Sequence, residues 1–197
     1  MTRVPLTSVP LLVVLAGSFL ALAGAWASEW GLGLPPCDLC YAQRYAYWAA
    51  MAFAAFGLLI EAPIRAQGIM AQGIMAKGRP ALRALALVLA IAGVAASGGL
   101  AVYHAGVEWH WWPGPGTCSG TTPLPETLDD FSALLTSEMR VVACDEAPLR
   151  VFGLSLAGLN ALYALGLIIV TGVTAWRVAG QGRTANHPSP QSERRSV

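Results

Sequence analysis

The sequence predicts an all-α membrane protein, built as a four-helix transmembrane bundle with two loops on the outer side of the membrane. Of the 197 residues, 55% are hydrophobic and only 12% are charged. Soluble domains carry about 25% charged residues, so little of this surface can face water. The hydrophobic residues are gathered in four long stretches, and the chain length suits one domain, which we place at residues 1–180.

Each apolar stretch is long enough to cross a hydrocarbon core of about 30 Å, which takes roughly 20 helical residues. The first, third and fourth contain no charged residue, and the second contains only Arg44. We therefore expect four spans, at residues 9–27, 41–60, 84–102 and 151–173. The outer loops are then residues 28–40 and 103–150.

The first stretch has a second interpretation. Arg3, the apolar run and Ala25-Trp26-Ala27 resemble a secretory signal with an A-x-A cleavage site. The run is long for a signal, and two cysteines follow it almost at once, so we favour a retained helix. Cleavage would leave the sidedness of the remaining chain unchanged.

The distribution of charge predicts the orientation. Nine of the twelve basic residues precede the first stretch, separate the second from the third, or follow the fourth. Nine of the eleven acidic residues lie in the other two loops. Because Lys and Arg mark the cytoplasmic face, both termini are expected in the cytoplasm. Residues 181–197 are polar and are expected to form a disordered cytoplasmic tail. The net charge of +1 predicts no nucleic-acid partner.

All four cysteines, Cys37, Cys40, Cys118 and Cys144, fall in the two outer loops. Structural disulfides are one explanation, and a bond closing the interval from Cys118 to Cys144 could contribute about 3 kcal/mol. A zinc site is a second explanation. The wide spacing of the later two cysteines disfavours zinc, and we expect no metal.

A third explanation is redox chemistry at Cys37-Asp38-Leu39-Cys40, because a C-x-x-C motif brings two thiols together and lowers the pKa of one. Two prolines precede the motif, so the second helix should begin there. Cys40 would then lie at a helix N-terminus, one turn before Arg44, and both features favour a thiolate. Asp38 opposes them. We therefore expect the thiolate at Cys40.

Arg44 is unusual because arginine is otherwise depleted on the outer face. Its side chain could extend to the lipid headgroups at little cost. Beside a reactive cysteine, however, it is well placed to bind a carbonyl oxygen of an electron carrier dissolved in the membrane.

These residues resemble the disulfide bond formation protein B family, the quinone-reducing partners of periplasmic thiol oxidases. The resemblance covers about residues 9–176. It is carried by Cys37-x-x-Cys40-x-x-Gln43-Arg44, by Tyr103-His104, and by Trp112-Pro113 ahead of Cys118 and Cys144.

The resemblance implies a membrane enzyme of the bacterial inner membrane whose four cysteines are catalytic and face the periplasm. A reduced DsbA-like thiol oxidase would attack the Cys118–Cys144 disulfide at Cys118. Cys144 would then attack Cys37 and expel Cys40 beside Arg44. The implied cofactor is ubiquinone or menaquinone, drawn from the membrane quinone pool.

The resemblance also suggests that His104 and Gln43 contact the quinone, although an ordinary interfacial histidine is an equal alternative. In the second loop, the apolar pattern of Thr127–Leu135 predicts a short amphipathic helix. We expect it to lie on the membrane surface and bring Cys144 towards Cys37.

Two other classes of protein remain as alternatives. A vitamin K epoxide reductase-like protein would use similar cysteine chemistry, but there the loop pair precedes the C-x-x-C motif. A membrane protein with purely structural disulfides would have no enzymatic activity.

Overall fold

The computed structural model describes residues 8–61, 69–115 and 144–185. These residues form four long helices. They are α1, Val9–Trp26, followed directly by a π-helical turn at Ala27–Gly31; α2, Asp38–Glu61; α3, Ile69–Glu108; and α4, Leu156–Ala185. Two short antiparallel strands, β1 at Arg150–Val151 and β2 at Leu154–Ser155, precede α4. Cys118 and the predicted amphipathic helix at Thr127–Leu135 lie outside the described residues.

The helices extend beyond the first three predicted spans, so the first loop is shorter than we predicted and the second begins later. The first loop was expected at residues 28–40, but helical structure reaches Gly31 and resumes at Asp38. Helix α3 continues past the predicted end of the third span to Glu108, so it includes Tyr103 and His104. Hydropathy alone missed these ends because backbone hydrogen bonds continue a helix regardless of side-chain polarity.

The fourth helix begins later than predicted and ends later. The span was expected at residues 151–173, but residues 150–155 form a hairpin with positive φ at Phe152 and Gly153. The helix then runs to Ala185, so the first five residues of the predicted tail are helical. The remainder of the tail lies outside the described residues.

Three of the described helices are long and apolar enough to cross a membrane: Val9–Gly31, Arg79–Glu108 and Leu156–Gln181. Helix α2 has 24 residues but carries Gln43, Arg44 and several aromatic residues in its outer half. The fold therefore agrees with the predicted all-α membrane protein, while a fourth span at α2 stays a prediction.

Apolar residues face both the interior and the exterior of the bundle. The interior contains Leu11, Val14, Leu22, Ala50 and Val94, all nearly inaccessible. Many large apolar side chains on the outside are more than half exposed, including Phe19, Leu20, Val88, Leu165 and Ile169. Water would disfavour such a surface, whereas lipid would not.

The outer end of α3 is covered by the turn that follows it. The Trp112 indole Nε1–H donates to the Tyr103 carbonyl at 2.8 Å, and the two rings stack. The Tyr103 hydroxyl donates to the Pro113 carbonyl at 3.1 Å. A Cβ at Gly106 would overlap the Trp112 ring, so this close packing requires glycine.

Helices α2 and α3 pack closely through small residues. A Cβ added at Gly93 would lie 3.0 Å from the Ala50 backbone nitrogen and 3.1 Å from the Ala46 carbonyl oxygen. Backbone atoms of a helix cannot move aside as a flexible side chain can. Small residues at such positions allow membrane helices to approach closely.

We predict that Gly93→Val lowers the free energy of unfolding by about 1–3 kcal/mol, because overpacking must separate α2 from α3. Gly99→Val on the same helix is the matched control, since a Cβ at Gly99 meets nothing within 4 Å. Unfolding in mixed detergent micelles measures both variants. Equal stabilities for the two would contradict the tight contact.

Candidate redox site

The C-x-x-C motif opens helix α2, as the sequence predicted. The Tyr41 amide donates to the Cys37 carbonyl at 3.1 Å, so the first helical turn includes the motif. Residues three apart lie on one face of a helix. The Cys37 and Cys40 sulfurs are accordingly 3.3 Å apart, and both residues are free thiols.

A third cysteine approaches this pair from the segment before α4. Cys144 is 1% exposed and is disulfide-bonded. The donor atoms of Cys37, His104 and Cys144 all lie within 4.8 Å of one another. Cys37 is therefore close to both its C-x-x-C partner and a loop cysteine more than a hundred residues later.

Helix α3 contributes His104 to the same cluster. Its Nε2 atom lies 3.6 Å from the Cys37 sulfur, and its Nδ1 atom lies 3.1 Å from the Gln43 side-chain nitrogen. Glu108, one turn further along α3, places Oε1 3.8 Å from His104 Nε2. His104 is only 5% exposed and is a buried member of the cluster.

Two members of this cluster were not recognised as site residues from the sequence. Asn160 on α4 donates from Nδ2 to Gln43 Oε1 at 2.7 Å. Glu108 is buried, and its Oε2 atom has no hydrogen-bond partner among the described residues. A polar residue in an otherwise apolar span was a usable signal for Asn160. Nothing comparable in the sequence indicated Glu108.

The charge of the reduced pair is expected at Cys37 and not at Cys40. The pKa of Cys37 is lowered to about 4, chiefly by the hydrogen bond with Cys40 and also by the one with His104, against the opposing effect of burial. The pKa of Cys40 is raised, first by the same hydrogen bond and then by burial. Our sequence argument placed the thiolate at Cys40 from the helix N-terminus and Arg44. It could not determine which thiol accepts the hydrogen bond within the pair, nor anticipate His104, which lies 67 positions after Cys37.

Arg44 faces the interior of the site, where its charge is compensated. Its guanidinium forms an ion pair with Glu29 and donates to the Ala25 carbonyl at 3.2 Å. It also lies 5.4 Å from the centre of the Tyr41 ring. Its side chain is 12% exposed and is held by these partners.

A cavity of about 500 Å³ lies beside the cluster. Its polar end is lined by the two thiols with Gln43, Arg44 and His104, and much of the remainder is apolar, with Leu20, Leu22 and Leu156 among the lining residues. Small-molecule sites are commonly of this size, mostly apolar with a few polar groups. This donor set suits a largely apolar ligand that carries hydrogen-bond-accepting groups.

The three clustered residues Cys37, His104 and Cys144 carry atoms that can bind a metal. The sulfur of Cys144 is engaged in a disulfide, so it is not a thiolate ligand here. Structural zinc sites use four ligands. The arrangement is better suited to exchange between sulfur atoms.

Comparison with known proteins identifies a family for this arrangement. Residues 7–174, most of the chain, match the family model described as Disulfide bond formation protein DsbB. This match confirms the resemblance that the cysteine motifs indicated. No curated protein and no solved structure matches the chain.

We predict that the reduced pair releases one proton near pH 4, where Cys37 titrates, and holds the second well above the ordinary thiol range. A Cys118→Ser/Cys144→Ser variant leaves only this pair to titrate, and ultraviolet thiolate absorbance measures it. Adding Cys40→Ala should move the midpoint of Cys37 upwards, because it removes the main stabilising hydrogen bond. An unchanged midpoint would contradict the shared hydrogen bond.

Proposed function

The chain belongs to the disulfide bond formation protein DsbB family, and we propose that it re-oxidises a periplasmic DsbA-like thiol oxidase and passes the electrons to a membrane quinone. It would act in the bacterial inner membrane through four spans, with both termini cytoplasmic and the cysteines on the periplasmic side. It would thereby support disulfide formation in exported proteins.

One observation carries this proposal: the Cys37 sulfur lies within 4.8 Å of the Cys144 sulfur. The same sulfur is 3.3 Å from Cys40, at the polar end of a largely apolar cavity. Disulfide exchange requires attack by one sulfur on another, so a relay needs such a meeting point. Purely structural disulfides would have no need of two free thiols beside a cavity.

The proposed relay begins when a thiolate of the reduced partner attacks Cys118. The Cys118–Cys144 bond breaks and Cys144 leaves as a thiolate. Cys144 then attacks Cys37 of an oxidised Cys37–Cys40 bond, and Cys40 leaves with the electron pair. The partner's second thiol closes its own disulfide by displacing Cys118, which accepts that proton. Cys118, as a thiolate, then displaces Cys37 from Cys144, which restores the Cys118–Cys144 bond and leaves Cys37 and Cys40 reduced. Their two electrons and two protons would pass to the quinone as the Cys37–Cys40 bond forms again.

The charges of the site support Cys40 as the leaving group in this step. The pKa of Cys40 is raised by its hydrogen bond with Cys37, by burial and by negative charge on Cys37, whereas Arg44 lowers it. Once Cys37 is bonded to Cys144 it carries neither a thiol proton nor a charge. The hydrogen bond from Cys37 and its negative charge then no longer raise the pKa of Cys40, while the attraction of Arg44 still lowers it.

A bound quinone would supply an acceptor for two electrons and two protons. Within the chain, Arg44, His104 and Gln43 line the polar end of the cavity and could bind carbonyl oxygens there. Such an acceptor is needed because a DsbA-type oxidase is itself strongly oxidising, at about −120 mV. Another thiol–disulfide pair would have difficulty in re-oxidising it.

We predict that purified protein reduces a quinone analogue anaerobically when a reduced DsbA-like oxidase is supplied, and that Cys40→Ser abolishes this activity while the bundle remains folded. Loss of quinone absorbance measures the reaction, and circular dichroism checks the fold. Persistence of the quinone band with the wild-type protein would overturn the proposed function. Full activity of Cys40→Ser would overturn the assigned electron donor.

A further inference from the structure

A continuous line of polar side chains crosses three helices beneath the cysteines. The Tyr47 hydroxyl donates to Asn160 Oδ1 at 2.8 Å, and Asn160 Nδ2 donates to Gln43 Oε1 at 2.7 Å. Gln43 Nε2 then lies 3.1 Å from His104 Nδ1, and His104 Nε2 lies 3.6 Å from the Cys37 sulfur. Each link joins two different side chains, and the line ends at the reactive thiol.

The line has a direction because a primary amide has one accepting and one donating end. Asn160 occupies the oxygen of Gln43, so the nitrogen of Gln43 faces the imidazole. An amide nitrogen can only donate, and His104 Nδ1 must therefore accept. The imidazole proton is then on Nε2, the atom that faces Cys37.

We propose that Asn160 is a positioning residue: acting through Gln43, it holds His104 Nδ1 as a hydrogen-bond acceptor, so that the neutral imidazole carries its proton on Nε2, directed at the Cys37 sulfur. The proposal rests on the proposed function only in treating Cys37 as a redox thiol. It assigns Asn160 a role in setting the protonation of a residue that it does not contact.

The hydrogen bonds of this line are buried, so they are not easily exchanged for bonds to water. Gln43 is 6% exposed and His104 is 5% exposed, so solvent cannot readily replace a missing partner. An unsatisfied polar group in such surroundings is destabilising. Reversal of the line would require Gln43 and Asn160 to rotate together and the Tyr47 hydroxyl to become an acceptor. The existing direction is therefore self-consistent across all three helices.

Other ionisable groups also face the thiol and contribute to its charge. Cys40 lies beside it on α2, and Glu108 approaches His104 from α3. From the segment before α4, Cys144 is in a disulfide and carries no charge. Arg44 and Glu146 line the same cavity. The imidazole is also hydrogen-bonded to the backbone of Cys144. At Nδ1 the neighbouring side-chain atom is the nitrogen of Gln43, 3.1 Å away.

The direct test is nitrogen-15 NMR of the imidazole in a His110→Gln/His187→Gln variant. Of the three histidines in the sequence, this variant retains only His104. The spectrum is recorded at a pH of about 9, above the ordinary pKa of histidine. We expect a neutral ring with the proton on Nε2. A proton on Nδ1, or on both nitrogens, would overturn the proposal without bearing on quinone reduction.

Asn160→Leu should remove the preference for the Nε2 tautomer, because Gln43 is then free to rotate. We expect a mixture of tautomers or a proton on Nδ1. Tyr163→Phe is the matched control: it deletes a 2.8 Å bond from the same helix to the Gly17 carbonyl, which is not part of the line. This control should retain the wild-type tautomer. If the two variants showed the same tautomer, Asn160 would contribute only to helix packing.

A second readout follows the thiol itself in the Cys118→Ser/Cys144→Ser background. Loss of a hydrogen bond of about 0.5–1.5 kcal/mol should raise the midpoint of Cys37 by about one pH unit or less. Asn160→Leu should show this rise, and Tyr163→Phe should not. A changed tautomer with an unmoved midpoint would contradict the link from His104 to Cys37.

Discussion

The contact between Cys37 and His104 is the interaction on which the rest of the site depends. It joins the first turn of α2 to the last turns of α3 at a distance of 3.6 Å. The contact requires the two helices to pack closely along their lengths, which the small residues around Gly93 permit. It also requires α3 to continue past its apolar run to Glu108. Small residues deep in the bundle thus determine the surroundings of a thiol at its outer end.

The surroundings of the thiol pair follow from placing polar groups in an apolar bundle. In a medium of low dielectric constant each hydrogen bond is stronger, and each missing partner is more costly. Arg44 is paired with Glu29, and Gln43 is bonded at both ends of its amide. These pairings hold the polar side chains near Cys37 in fixed positions. Such preorganisation suits a site whose sulfur atoms must gain and lose charge repeatedly.

Hydropathy and the cysteine motifs predicted the helical membrane architecture, the helix that opens at Cys37 and the family. These features are local, since each depends on residues within one or two turns. The ion pair of Arg44 with Glu29, the line from Asn160 to His104 and the position of the thiolate could not be predicted. The ion pair joins residues 15 positions apart, the two links at Gln43 span 61 and 117 positions, and Cys37 is 67 positions from His104, so all of them depend on helix packing. The hairpin at residues 150–155 was missed because its sequence is as apolar as the span that follows.

The central claim is that the two cysteine pairs exchange electrons through Cys37 and Cys144. A Cys40→Ser/Cys118→Ser variant leaves these two sulfurs as the remaining thiols, and peptide mass mapping under non-reducing conditions shows whether they join. Their atoms lie within 4.8 Å, so we predict a Cys37–Cys144 disulfide on mild oxidation of the folded protein. If both thiols stay free and reactive while the bundle is intact, electrons cannot pass between the pairs by this route.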